Sequence, residues 1–344
     1  MSFNKYNNKG LSGLQNLGNT CFINSCMQIL SHTYEFNEFL SRTTNKFNKN
    51  PETILLLEWN KLREMLWSIN CIICPEKFIK TIQSVAEYKK INIFTGFSQN
   101  DLPEFLIFII NSFHLSLSRK VLMTIKGNPE NEKDEIALKC FEMIKDIYSK
   151  EYSEIWNLFY GIHISQIKDI DTDSVKSMKP EPYFIINLPI PPKNNKYPSP
   201  SLYDCFDLYT ENELLDGDNK WYNETTGTKE CVHKRTIFWS FPTILIIDLK
   251  RVNSQNVKTP ILVSFPINNL DLSKYSIGYK NTFNMYELYG ICNHIGGTMG
   301  GHYTAFIKNS NGKWYHFNDM SVTEIQETNI ITPNAYCFFY RKKQ

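Results

Sequence analysis

Residues 13–30 read GLQNLGNTCFINSCMQIL, and this stretch sets one cysteine, Cys21, at the start of a helix. Asn19 and Thr20 are helix-start residues, and Phe22, Ile23, Cys26, Met27 and Leu30 follow at helical spacing. A thiol at a helix N-terminus meets unpaired backbone N–H groups and the positive end of the helix dipole, which favour the reactive thiolate. Cys21 is therefore a candidate nucleophile, and its partners must be sought elsewhere in the chain.

The chain of 344 residues is 42% hydrophobic, enough to bury a sizeable core and far from disordered or fibrous composition. Its net charge of +2, from 37 basic and 35 acidic residues, makes no electrostatic case for a nucleic-acid or membrane partner. The opening residues MSFNKYNNKG carry no signal-like apolar run, and no stretch approaches the ~18 apolar residues of a membrane span. An intracellular protein, cytoplasmic or nuclear, is expected. Nine scattered cysteines, an odd number, suit free thiols in a reducing compartment better than disulfides.

Outward from Cys21, residues 52–70 place Ile54, Leu55, Leu62, Met65, Leu66 and Ile69 at helical spacing and read as a core-facing helix. Cys71 and Cys74 form a lone CxxC with isoleucines between them and no second pair, so they read as buried structural cysteines; Pro75 opens another helix. Residues 96–115, GFSQNDLPEFLIFIINSFHL, read as a turn entering an apolar helix, with Ser98 or Asn100 as cap and Pro103 in the first turn. Asp101 and Glu104 suit its positive end, which by itself is ordinary capping. Residues 127–154 suggest a pair of amphipathic helices.

From Phe159 onward the texture turns to strands, with runs at 183–188, 237–239, 244–249 and 261–265. Residues 189–201, PIPPKNNKYPSPS, read as a stiff surface loop, and 211–229 as turn-rich with little to enter a core. No repeat or long linker divides the chain, so one catalytic unit over residues 1–344 is the simplest account.

Residues 290–319, GICNHIGGTMGGHYTAFIKNSNGKWYHFND, supply a possible second half of the site. Four glycines within six residues allow close backbone approach just before His302. Two facing strands, 302–308 and 313–318, then flank a turn at Asn-Ser-Asn-Gly. A three-residue loop sets His302 opposite Asn318, whereas an even loop sets it opposite Asp319, and spacing leaves both open. Either can accept a hydrogen bond from His302 Nδ1–H and turn the other nitrogen toward a nucleophile.

Together these segments resemble the ubiquitin-specific proteases, papain-like cysteine peptidases that remove ubiquitin. GLQNLGNTCFINSCMQIL is similar to their cysteine box, SQNDLPEFLIFII to their QDAxEF segment, FPTILIIDLKR to their LKR strand, GGHYTAFIKNSNGKWYHFND to their histidine box and AYCFFYRKK to their last strand. The resemblance runs over residues 13–340 and implies an α+β fold: a helical thumb to about residue 158, fingers with part of the palm over about 159–240, and the rest of the palm over about 241–344. It leaves no room for accessory domains and implies a monomer without a cofactor, whose partners are ubiquitin and ubiquitinated proteins.

Carried over residue by residue, the resemblance makes Cys21 the nucleophile, His302 the general base and later acid, and Asn318, directly after Phe317, the third residue, with Asp319 as its supporting neighbour. Asn16 matches the oxyanion-hole side chain. Asp101 and Glu104 match acidic positions that hold ubiquitin's basic, extended tail. The double glycine at the end of that tail implies a narrow channel, for which Gly300, Gly301 and Tyr303 are expected walls.

Two departures stand out. The family's fingers often carry two CxxC pairs that bind zinc, but residues 162–171 hold no cysteine, the second region has Tyr222, Asn223 and Thr225, and Cys231 with His233 makes only CxH. Fingers without metal are expected. Asp248 stands in the LKR strand where a histidine is common. The alternatives to a deubiquitinase are a ubiquitin-binding pseudoenzyme and a peptidase for another ubiquitin-like modifier.

Overall fold

A computed structural model describes residues 3–43, 47–48, 50–96, 98, 100–253, 255–279, 283–298 and 300–343. Helices dominate to Phe159: Cys21–Ser31, Tyr34–Arg42, Pro51–Ser68, Glu76–Tyr88, Leu102–Leu117, Glu132–Lys150 and Glu154–Phe159. Residues 127–154 thus hold one long helix rather than a pair. Asn131 starts it, its side chain accepting the Asp134 N–H. Beyond Phe159 the described α-helix is Leu202–Thr210, which the sequence reading passed over. Its signal is Ser201 with Asp204, a capping box in which each side chain takes the other's backbone N–H.

The largest sheet runs Ser321–Ile325, Trp314–Asn318, Gly300–Lys308, Met285–Gly297, Ala335–Lys342, Ile244–Lys250, Ile185–Pro189, with Leu270–Asp271 paired to Met285–Gly297. One interior strand, ILIIDLK (Ile244–Lys250), is apolar at nearly every position because both faces are covered. Ile244 and Ile246 face the helices, while Leu245, Ile247 and Leu249 face a second core with Phe206 of the Leu202–Thr210 helix. Fully burying each such side chain stabilises by roughly 1.5–3 kcal/mol. A second sheet, in the order Val175–Tyr183, Gly161–Asp169, Val232–Ser240 and Glu213–Leu215, projects with a separate ribbon of Trp221–Asn223 and Thr228–Glu230.

Several sequence expectations are corrected. In the Pro51–Ser68 helix the buried seam is Leu55, Leu56, Trp59, Leu62 and Leu66, whereas Ile54, Met65 and Ile69 are exposed. The seam follows the 3.6-residue period through Trp59, and those three positions lie on its flank. Cys71 and Cys74 are exposed, not buried. They flank the two-residue strand Ile72–Ile73, which pairs in parallel with Gly13–Leu14 and turns only Ile73 inward. Residues 261–265 form no ladder strand. The buried Arg251 guanidinium takes the Ile261 carbonyl at 2.8 Å and the Thr259 carbonyl at 3.3 Å, so a side chain satisfies backbone that a neighbouring strand would otherwise pair. No helix of the described residues is long and apolar enough to cross a membrane.

Candidate active site

The Cys21–Ser31 helix is buried along its whole length against the Gly300–Lys308, Met285–Gly297 and Trp314–Asn318 strands. Thr20 precedes Cys21 but makes no side-chain cap; its Oγ1 accepts the Leu17 N–H at 3.0 Å. The loop before the helix winds around Asn16, whose Oδ1 accepts N–H groups from Gly18 and Thr20, each at 3.1 Å. Its amide nitrogen is thereby turned outward and donates to Asp319 Oδ2 at 3.0 Å.

Asp319 ties the two boxes together. Its other carboxylate oxygen accepts from Asn24 Nδ2 at 2.8 Å, and its backbone carbonyl accepts the Leu14 N–H at 2.8 Å. The residue sits at φ +49°, the left-handed turn after the Trp314–Asn318 strand. Gly13 packs directly on the Met320 backbone, where a Cβ would collide with the carbonyl. Asn24 was missed in the sequence. An Asn one turn into a helix that is buried along its whole length is the signal that could have revealed it.

His302 meets Asn318 as the odd-loop parity requires, though the loop is longer than supposed. The ladder pairs Lys308 with Trp314 and Ala305 with Phe317, leaving the five residues 309–313 as the connection and placing Asn318 two positions short of direct opposition to His302. His302 Nε2 lies 2.7 Å from Asn318 Oδ1. The expected nitrogen was Nδ1. Asn318, at the end of its strand and diagonal to His302, reaches the far nitrogen of the ring and leaves Nδ1 as the nitrogen without this bond.

Cys21 itself is buried. Burial pushes its thiol above the ordinary range, and the Asp319 carboxylate adds to the push; backbone N–H groups of Tyr303, Phe22 and Cys21 pull the other way without reversing it. The expectation that a helix N-terminus would produce a low-pKa thiol is therefore corrected: desolvation is the larger effect. The Tyr303 N–H lies in the strand that carries His302, so the Cys21 sulfur sits against that strand.

Asp101 and Glu104 occupy the start of the Leu102–Leu117 helix, one turn apart, with Pro103 in its first turn. Neither Ser98 nor Asn100 caps this helix: Asp101 is the N-cap residue, in extended backbone and without a side-chain cap. Its carboxylate instead accepts hydroxyls from Tyr336 at 3.0 Å and Tyr303 at 3.2 Å. Burial raises its pKa against the lowering effect of these two bonds. Glu104 is exposed to solvent.

Asp101, Gly300, Tyr303, Tyr336, Lys258 and His294 line a cavity of about 350 Å³. His294 stacks on Tyr303 with ring centroids 4.5 Å apart. Gly301 packs against the Ile295 carbonyl and the His294 ring, with no space for a Cβ. Lys258 spans the mouth, donating to the carbonyls of His294 at 2.7 Å and Gly296 at 3.0 Å. Tyr336, Lys258 and His294 were not singled out from sequence, because they come from two strands and a loop that meet only in the fold. Asp248, buried near Asp101, has its carboxyl raised well above the usual range by burial first and by Asp101 second.

A sequence model of the ubiquitin carboxyl-terminal hydrolase family matches residues 12–340. Human ubiquitin carboxyl-terminal hydrolase 2 is 36% identical over 347 residues, covering 96% of this chain and 55% of that protein. The chain thus spans about half the length of this relative and of its bovine and rat counterparts. Among solved structures, the SAGA Ubp8/Sgf11/Sus1/Sgf73 DUB module bound to ubiquitin aldehyde matches with a TM-score of 0.73 and 26% identity, over 98% of this chain and 71% of that one. The same module bound to monoubiquitin matches with a TM-score of 0.74 and 25% identity, over 100% and 71%. With that agreement along nearly its whole length, and with the mixed helix-and-sheet architecture it shares with those structures, the chain belongs to the ubiquitin carboxyl-terminal hydrolase family.

Proposed function

We propose that this chain is a cysteine-type deubiquitinase, which hydrolyses the bond after the C-terminal glycine of ubiquitin through a Cys21 thioester. The observation that carries the reading is the His302 Nε2 to Asn318 Oδ1 bond of 2.7 Å, which orients an imidazole on the same strand whose Tyr303 N–H meets the buried Cys21 sulfur. The relatives' names and the ubiquitin-bound neighbours support the substrate.

In this reading His302 Nδ1 takes the Cys21 proton. A thiol raised by burial needs such a base, because little thiolate forms unaided. The thiolate attacks the glycine carbonyl, and the oxyanion is received by Asn16 Nδ2 and the Cys21 backbone N–H. One oxyanion-hole donor is worth on the order of 100- to 1000-fold in rate. The lysine amine leaves with the proton held by His302, and water, deprotonated by the same imidazole, cleaves the thioester. The Asp101 cavity, with Glu104 outside it, receives the basic tail, and Gly300, Gly301 and Tyr303 narrow the approach to the sulfur.

The test is labelling by ubiquitin bearing a C-terminal electrophile. A covalent adduct with the native chain and none with Cys21→Ala is the expected result. Ubiquitin binding without adduct would replace the reading by a pseudoenzyme; neither adduct nor binding would replace ubiquitin by another modifier.

A further inference from the structure

At the far end of the projecting sheet, two turns lie in hairpins already joined by backbone, since the ribbon's Glu230 leads two positions on into Val232, which pairs with Asp169. One joins the Gly161–Asp169 and Val175–Tyr183 strands, and the other closes the ribbon of Trp221–Asn223 and Thr228–Glu230. Side chains add a second connection. Lys176 Nζ lies 2.9 Å from Asp169 Oδ2 and 2.6 Å from Glu230 Oε2.

Each carboxylate devotes its second oxygen to its own turn. Asp169 Oδ1 accepts the N–H groups of Asp171 and Thr172 and the Thr172 hydroxyl, each at 3.0 Å. Glu230 Oε1 accepts from Asn223 Nδ2 at 2.8 Å and Thr226 Oγ1 at 3.0 Å. The three charged side chains are each less than a third exposed. Pairing with Lys176 is the leading influence holding both carboxyls below their usual range. One ammonium therefore joins two turns that are each already organised around a carboxylate.

These residues do not fit zinc. The donors at the two turns are carboxylate, hydroxyl and amide oxygens, where a structural zinc takes thiolates and imidazoles. A fixed positive charge fills the point between the carboxylates and repels a divalent cation there. Cys231 is exposed and belongs to no group of three metal-binding side chains among the described residues.

We infer that the Lys176 ammonium is the clasp of these two turns, and that it positions the fingers against the globular body of ubiquitin. The inference rests on the deubiquitinase reading for its functional half only. Lys176 is a positioning residue: it lies in the fingers and touches neither Cys21 nor the tail cavity. Its loss weakens the grip on the folded body of the substrate and leaves the handling of the tail intact.

The experiment compares native protein, Lys176→Met and Lys176→Arg on two substrates, ubiquitin and a short peptide of its tail, each with a C-terminal fluorophore. Lys176→Met, of similar length and neutral, is expected to raise KM for the ubiquitin substrate by roughly 3- to 10-fold at nearly constant kcat, with peptide turnover unchanged and Lys176→Arg largely restored. Hydrogen exchange of amides 221–230 should quicken in Lys176→Met. An unchanged ubiquitin KM, or an equal loss on both substrates, would overturn the positioning role. Unaltered exchange, or stoichiometric zinc in the purified native protein, would overturn the clasp. If the native chain cleaves neither substrate, the enzymatic reading falls together with the positioning role, while exchange still judges the clasp.

Discussion

Asp319 and Asn16 are hydrogen-bonded across 303 positions of sequence, carboxylate Oδ2 to amide nitrogen at 3.0 Å, with Asn24 on the second oxygen. Asp319 therefore aims Asn16 rather than His302. Asp319→Ala is expected to lower kcat roughly 10- to 100-fold with little change in KM, less than the loss from deleting Asn16 itself. Because both act on one interaction, the Asn16→Ala and Asp319→Ala double variant should be little worse than Asn16→Ala alone, as measured by steady-state kinetics in a double-mutant cycle. Fully multiplicative losses would assign Asp319 a separate role.

The buried Cys21 thiol makes a second prediction, about pH. With His302→Ala, alkylation of Cys21 by iodoacetamide should stay slow through neutral pH and climb only above the ordinary thiol value of 9.0, because burial raises the thiol further. The native protein should react roughly 100-fold faster at about pH 7, with Asn318→Ala between the two. Equal rates at neutral pH would show a thiolate that forms without His302.

Asp248 links the active-site cleft to stability. A carboxyl held above its unfolded value of 3.8 binds more protons in the folded state, so its contribution falls as pH rises from that value upward. Asp248→Asn removes this liability. Its Tm relative to native protein should increase with pH, by roughly 2–6 °C between about pH 5 and about pH 8. A pH-independent difference would mean that Asp248 stays ionised inside the fold.

Gly301 tests the narrow channel. A Cβ there meets the Ile295 carbonyl and the His294 ring, so Gly301→Ala must shift the strand that leads to His302. We expect kcat/KM on a ubiquitin substrate to fall by roughly tenfold or more. Unchanged cleavage would remove Gly301 from the channel wall.

These sites were legible in sequence to different depths. Cys21 was readable because helix starts are local, encoded within a few residues of Thr20. The His302–Asn318 pairing was half readable: strand parity chose a shared face, while the length of the 309–313 connection and the ring nitrogen used depend on three-dimensional geometry. The Asp319 contacts to Asn16 and Asn24 had no local signal, since no period relates residues 303 and 295 apart. Burial was the least legible. Ile54, Met65 and Ile69 look like core until Trp59 fixes which stripe faces inward, and residues 261–265 look like a strand until Arg251 claims the Ile261 carbonyl. The Cys21 pKa failed for the same reason, because dipole and capping are local whereas desolvation belongs to the whole assembly.

The bond between Asp319 and Asn16 also sets a condition on biosynthesis. Asn16 and Cys21 are synthesised first, and the carboxylate that aims Asn16 and the imidazole on the His302 strand follow some 280 to 300 residues later. Until then the nascent chain carries a sequestered or idle thiol with no partner to activate it. Any fragment that stops short of His302 therefore lacks both the imidazole and the carboxylate that complete the proposed site.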